Sequence, residues 1–147
     1  MTRYGIFLGA LTALGGAALA HSGATGIVKE RMDGMKAMSD ATKAIGAVKT
    51  GVLPYSADLM RRAAEELRRH AEAAHVLFPE GSATGKSEAL PSIWAERQGF
   101  DQLLNDLIAA ATRLEAVAED EAAALITADQ VAATCKDCHA KYREKKL

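Results

Sequence analysis

Proline is nearly absent from this chain. Its three prolines, Pro54, Pro79 and Pro91, fall in two stretches, Gly51–Pro54 and Phe78–Pro91, and the second also carries Gly81, Ser82, Gly85 and Ser87. A proline inside a helix removes a hydrogen bond and clashes with the preceding turn, so these stretches read as breaks and the segments between them are free to be long helices. The composition points the same way. Hydrophobic residues make up 49% of the 147 residues, aromatics only 5%, and most of the apolar content is alanine with leucine and methionine behind it. These are strong helix formers, and the scarcity of β-branched residues argues against an all-β sandwich or barrel.

The first twenty residues form a separate object. Met1-Thr-Arg3 gives a positive start, Tyr4 to Leu19 is uncharged and apolar, and the stretch closes on Ala18-Leu19-Ala20. That is the layout of a cleaved secretory signal. The stretch is too short, and too interrupted by Gly9, Gly15 and Gly16, to suit a membrane anchor. Cleavage after Ala20 starts the mature domain, residues 21–147, at His21 and puts it outside the cytoplasm, in a bacterial periplasm, with no stable insertion in the membrane.

Four helical segments can be read in that domain. Ile27, Arg31, Met35, Met38, Thr42, Ile45 and Val48 recur at three- and four-residue steps and mark one face of a helix from Thr25 to Lys49. Ser56 suits an N-cap for Ala57–Leu77, with Leu59, Met60, Ala63, Leu67, Ala71, Ala74 and Leu77 inward. Ser92 caps a third helix, Ile93–Val117, with Trp94, Phe100, Leu103, Leu104, Leu107, Ala111 and Leu114 inward. Glu119-Asp120-Glu121 suits the positive end of a fourth, running to Arg143. Helices of this length joined mostly by short turns predict an all-α, antiparallel four-helix bundle. A formal net charge of −1 excludes a nucleic-acid binder that works through bulk charge.

The chemistry sits at Cys135-Lys136-Asp137-Cys138-His139, which contains the only two cysteines. C-x-x-C-H is the attachment signature of c-type haem. Each thiol adds to one vinyl group, and the adjacent imidazole turns to the iron as proximal ligand. A zinc ribbon needs a second ligand pair that the chain lacks, and a thioredoxin-type pair belongs to a βαβ context that is missing. A disulfide across three residues of one helix has poor geometry. The expected cofactor is therefore one covalent haem c, held by Cys135 and Cys138 with His139 on the iron.

Position adds to this. Only eight residues follow His139, and with the export signal and four predicted helices the chain resembles the class II cytochromes c, the cytochromes c′ and their low-spin relatives of the cytochrome c-556 type. The resemblance rests on Val28-Lys29-Glu30-Arg31, Leu77-Phe78-Pro79-Glu80-Gly81, Pro91-Ser92-Ile93-Trp94 and Cys135 through Arg143. It implies a left-handed bundle with haem near one end. It also implies a distal position seven residues after Val28, which is Met35. Low-spin members bind iron there through a methionine sulfur; high-spin members leave that face open.

Two function classes follow. The leading expectation is a periplasmic electron-transfer cytochrome, not an enzyme, with iron between His139 and Met35; thioether opposite histidine raises the potential. The alternative is a high-spin protein that binds nitric oxide or carbon monoxide, with Met35 packing as a gap-filler. Met32 and Met38 are lesser candidates for the sixth ligand. The resemblance implies a propionate contact for Arg31, with a solvated ion pair as the other possibility. His70 and His75 read as surface residues, Trp94 as core. Lys136, Lys141, Arg143, Lys145 and Lys146 against Asp137 and Glu144 make a basic rim suited to an acidic redox protein partner, or simply complement the helix dipole. Monomer and homodimer both remain open.

Overall fold

The computed structural model describes residues 23–145. The expected signal peptide, His21 and Lys146 lie outside the described residues. Among the described residues there are four long helices and one short one: α1 Gly26–Lys49, α2 Ala57–Ala74, α3 Ser92–Ala95, α4 Arg97–Ala116 and α5 Glu121–Tyr142.

Local chemistry explains most of the boundaries. The α1 helix stops at Gly51, whose φ of 73° is left-handed backbone that glycine adopts without a Cβ penalty. Ser56 caps α2, its side chain accepting from the Leu59 N–H at 3.3 Å. Asp120 does the same for α5, accepting from the Ala123 N–H at 3.1 Å. The second helix ends at Ala74, three residues before its expected end. The expected third helix is interrupted: Glu96, at φ −120° and ψ 41°, separates α3 from α4. The break leaves the apolar register intact, because Ile93 and Phe100 are both buried seven residues apart.

Helix α2 packs against α1 and α4, and α4 packs against α5, whereas α1 and α5 meet little. The bundle therefore has one loose seam. Its main core gathers Met38, Ile45, Met60, Leu67, Leu107, Leu114 and Val131. A second cluster of Phe78, Ile93, Phe100, Leu104 and Tyr142 closes one end. There Phe100 stands edge-on to Phe78 and to Tyr142, with ring centroids 4.8 and 5.4 Å apart. At the remote end Lys49 pairs with Asp129 across the seam. The seam shifts the buried face of α1: Val28, Gly34 and Ala41 are buried, while Ile27, Met35 and Thr42 are only half-buried. The expected apolar stripe straddles the boundary between the side that packs on α2 and the side that opens to the seam. Among the described residues no helix is long and apolar enough to cross a membrane.

Candidate functional site

At the aromatic end the seam widens into a cleft of about 320 Å³. Helix α1 contributes Val28, Arg31, Met32 and Met35 to its wall, α5 contributes Cys138, His139 and Tyr142, and Phe78, Ile93 and Phe100 close it off. Cys135 lies outside the lining and packs on the main core, Cys138 packs on the aromatic cluster, and Met35 touches both. Four of the five site residues read from the sequence thus share one cleft, and the fifth adjoins it.

The protonation states suit metal ligation and thioether formation better than thiol redox chemistry. Both cysteines are free. Burial pushes the Cys135 thiol up, and burial followed by the neighbouring Cys135 pushes Cys138 up to about 11. A thiolate is the nucleophile and zinc ligand, and neither thiol is poised to be one. His139 is exposed through the open cleft, yet enough protein surrounds its ring that desolvation, then Arg143, holds its pKa below the ordinary value. Both effects outweigh the opposing Glu88 and favour the neutral imidazole, the form that binds a metal.

Arg31 is 5% exposed, and its guanidinium lies 4.0 Å over the Phe78 ring. Its N–H groups donate to the Leu77 carbonyl at 3.1 and 2.9 Å, the Ser82 carbonyl at 3.4 Å and the hydroxyls of Ser82 and Ser87 at 2.7 and 2.9 Å. No carboxylate is among these partners, so among the described residues the solvated ion pair expected as an alternative for Arg31 is not formed. Desolvation lowers its pKa.

The model of the family described as Cytochrome C′ matches residues 26–143. The chain belongs to the cytochrome c′ family. It is 33% identical over 123 residues to a cytochrome c′ of Rhodopseudomonas palustris, covering 83% of this chain and 84% of that one. It is also 33% identical over 122 residues to a cytochrome c-556 of Agrobacterium tumefaciens, covering 82% and 99%. Among solved structures, cytochrome c′ from Rhodopseudomonas palustris matches with a TM-score of 0.80 and 32% identity, over 84% of this chain and all of that one. A nitric oxide complex of a mutant cytochrome c prime from Alcaligenes xylosoxidans matches with a TM-score of 0.74 and 28% identity, over 82% and 94%. As a member of this family the chain is a haem c protein, and the neutral imidazole, protonated thiols and apolar walls fit that group.

Other expectations fare differently. Met32 lines the cleft beside Met35, whereas Met38 is 7% exposed and belongs to the core. His70 and His75 are half-buried: His70 packs on Gly34 with Glu66 at 3.3 Å, and His75 lies 3.2 Å from Asp101. Neither lines the cleft. Trp94 is a loop anchor, its indole N–H donating to the carbonyls of Phe78 and Pro79 at 3.2 and 2.9 Å. Sequence reading passes over the inner edge of the loop, Ser87, Glu88 and Ala89, which also lines the cleft. Glu88 pairs with Arg143 at 2.9 Å across 55 residues of chain, and no local pattern announces such a contact.

Proposed function

We propose that the protein is a periplasmic haem c protein that binds a diatomic gas, nitric oxide or carbon monoxide, on the face walled by Met35. The observation that carries this is the packing of Met35 against both core clusters, which suits a wall better than a free ligand. The likeness to cytochromes c′, one of them solved with nitric oxide, supports it. When bound, the haem would supply redox-active iron able to coordinate a small ligand. In this reading Cys135 and Cys138 would hold the group covalently, His139 would bind the iron from α5, and the side chains of Val28, Met32 and Met35 on the opposite wall of the cleft would keep water out. The protein breaks no substrate bond.

One observation favours a second reading. Met35 and His139 line the same cleft from different helices, so a swing of the Met35 thioether to the iron would give a six-coordinate electron carrier, in keeping with the relative named cytochrome c-556. Ferric and ferrous spectra decide between them. The gas-binding reading expects a high-spin ferrous protein that takes up carbon monoxide. A low-spin ferrous protein inert to carbon monoxide overturns it in favour of electron transfer.

Electron transfer needs a redox partner protein, and a gas-binding iron needs one to reach the ferrous state that takes carbon monoxide. Lys136, Lys141 and Lys145 are exposed beside the site and make no ion pair among the described residues. We infer an acidic partner surface, and expect its association rate to fall as ionic strength rises.

A further inference from the structure

The two walls of the cleft, α1 and α5, meet little along the seam. Near the cleft they are joined instead by the loop from Leu77 to Leu90. On the α1 side the join is Arg31. Its five N–H donors are all taken by Leu77, Ser82 and Ser87. On the α5 side the loop pairs with the chain just beyond His139: the Leu90 N–H donates to the Tyr142 carbonyl at 3.0 Å, and the Glu144 N–H to the Glu88 carbonyl at 2.8 Å. Ser92 adds a hydroxyl donation to the Lys141 carbonyl at 2.9 Å. The halves meet at Ser87, whose hydroxyl oxygen accepts from Arg31 at 2.9 Å and from the Ala89 N–H at 3.2 Å.

We propose that Arg31 is the positioning residue of the cleft: by riveting the Leu77–Ser87 stretch to α1 it fixes Glu88–Leu90, and through them the end of α5 behind His139. The distance between the Met35 wall and His139 is then set by a loop that spans both, not by direct contact of the two helices. A planar fork makes five donations to three residues of the loop from separated nitrogens, whereas a lysine ammonium has only three donors, all on one atom. All five donations to the loop end on uncharged oxygens, so the join itself depends on the shape of the guanidinium.

The inference deepens the gas-binding reading and rests on it for one of its two readouts. The test compares the haem-loaded wild type with Arg31→Lys, Arg31→Gln and Ser87→Ala. Amide hydrogen exchange at Leu90 and Glu144 reports the loop, and carbon monoxide association after flash photolysis reports the iron face. Arg31→Lys and Arg31→Gln are expected to behave alike, speeding exchange at both amides by about tenfold or more, as loss of a local hydrogen-bonded contact does, with Leu107 in the core unchanged. Both should alter the association rate several-fold. Ser87→Ala should act in the same direction, and adding it to Arg31→Lys should change little further. Retention of wild-type exchange and association by Arg31→Lys, with only Arg31→Gln altered, would make charge the operative property and overturn the proposal. Faster exchange with an unchanged association rate would overturn the link to the iron. A wild type that binds no carbon monoxide defeats the gas-binding reading alone; the exchange arm, with the reduction potential in place of the association rate, then decides this one.

Discussion

The phenol oxygen of Tyr142 lies 2.8 Å from the point where a β-carbon on Gly99 would sit, and no other atom beyond the glycine's own surroundings comes within 4 Å of that point. Tyr142 is buried, lines the cleft and stacks edge-on against Phe100. The missing side chain on α4 is therefore what lets the end of α5 dock.

Gly99→Ala pits helix propensity against that contact. Gly99 is in the first turn of α4, where alanine gains less than the roughly 1 kcal/mol of a helix interior, and overpacking a fixed ring costs about 1–3 kcal/mol. A net loss of stability is expected in urea unfolding. In a Tyr142→Phe background the offending oxygen is gone, and the same substitution should become stabilising. An equal effect in both backgrounds would refute the contact.

How far the sequence carries depends on whether a feature is local. The caps at Ser56 and Asp120, the stop at Gly51 and the faces of α2 and α4 follow from neighbours a few residues apart, and they are legible. The break at Glu96 is not, because Ile93 and Phe100 keep one register across it. Cys138, His139 and Met35 are legible as site residues from the motif and the resemblance. The role of Arg31 is not: its acceptors lie 46 to 56 residues away in a loop without periodicity. Arg97, which donates to Asp101 and to the His75 and Phe78 carbonyls, escapes notice for the same reason.

Replacing both Cys135 and Cys138 with alanine should abolish covalent haem. The thiols pack on different core clusters, so their loss also loosens both sides of the cleft, and the double variant should be poorly folded. Acid-acetone extraction checks attachment directly. Haem that stays with the protein after extraction would contradict the role of the two thiols.

Acid should unfold the protein partly through Asp101. Hydrogen bonds from Arg97 first, and from His75, hold its carboxyl below the ordinary value of 3.8 against the opposing effect of burial. A depressed folded pKa favours the ionised form in the native state. Its contribution is complete above the unfolded value and disappears as pH falls through the folded one. Asp101→Asn should therefore be less stable than wild type near neutral pH, with the difference shrinking as pH falls through and below the ordinary carboxylate range. The carboxylate is a third exposed, so the effect is modest and weakened by salt. A difference that grows with acid would contradict this assignment.

The three methionines of α1 should separate cleanly by spectrum and stability. Met38 is in the core, and Met38→Ala should cost about 2–5 kcal/mol from lost transfer energy and a cavity, without changing the iron's spin state. Met32 is half-buried on the cleft wall, and Met32→Ala should cost less and leave the spin state alone. Met35 decides the function. If it is a wall, Met35→Ala leaves a high-spin protein high-spin and speeds carbon monoxide entry, because it removes bulk from the approach to the iron. If instead its sulfur is the sixth ligand, the wild type is low-spin, since two strong axial donors pair the d electrons. The same substitution then turns it high-spin, opens it to carbon monoxide and lowers its reduction potential, because a thioether favours ferrous iron. Spectra of the wild type and Met35→Ala, recorded side by side, separate the outcomes, and a high-spin wild type is the result expected here.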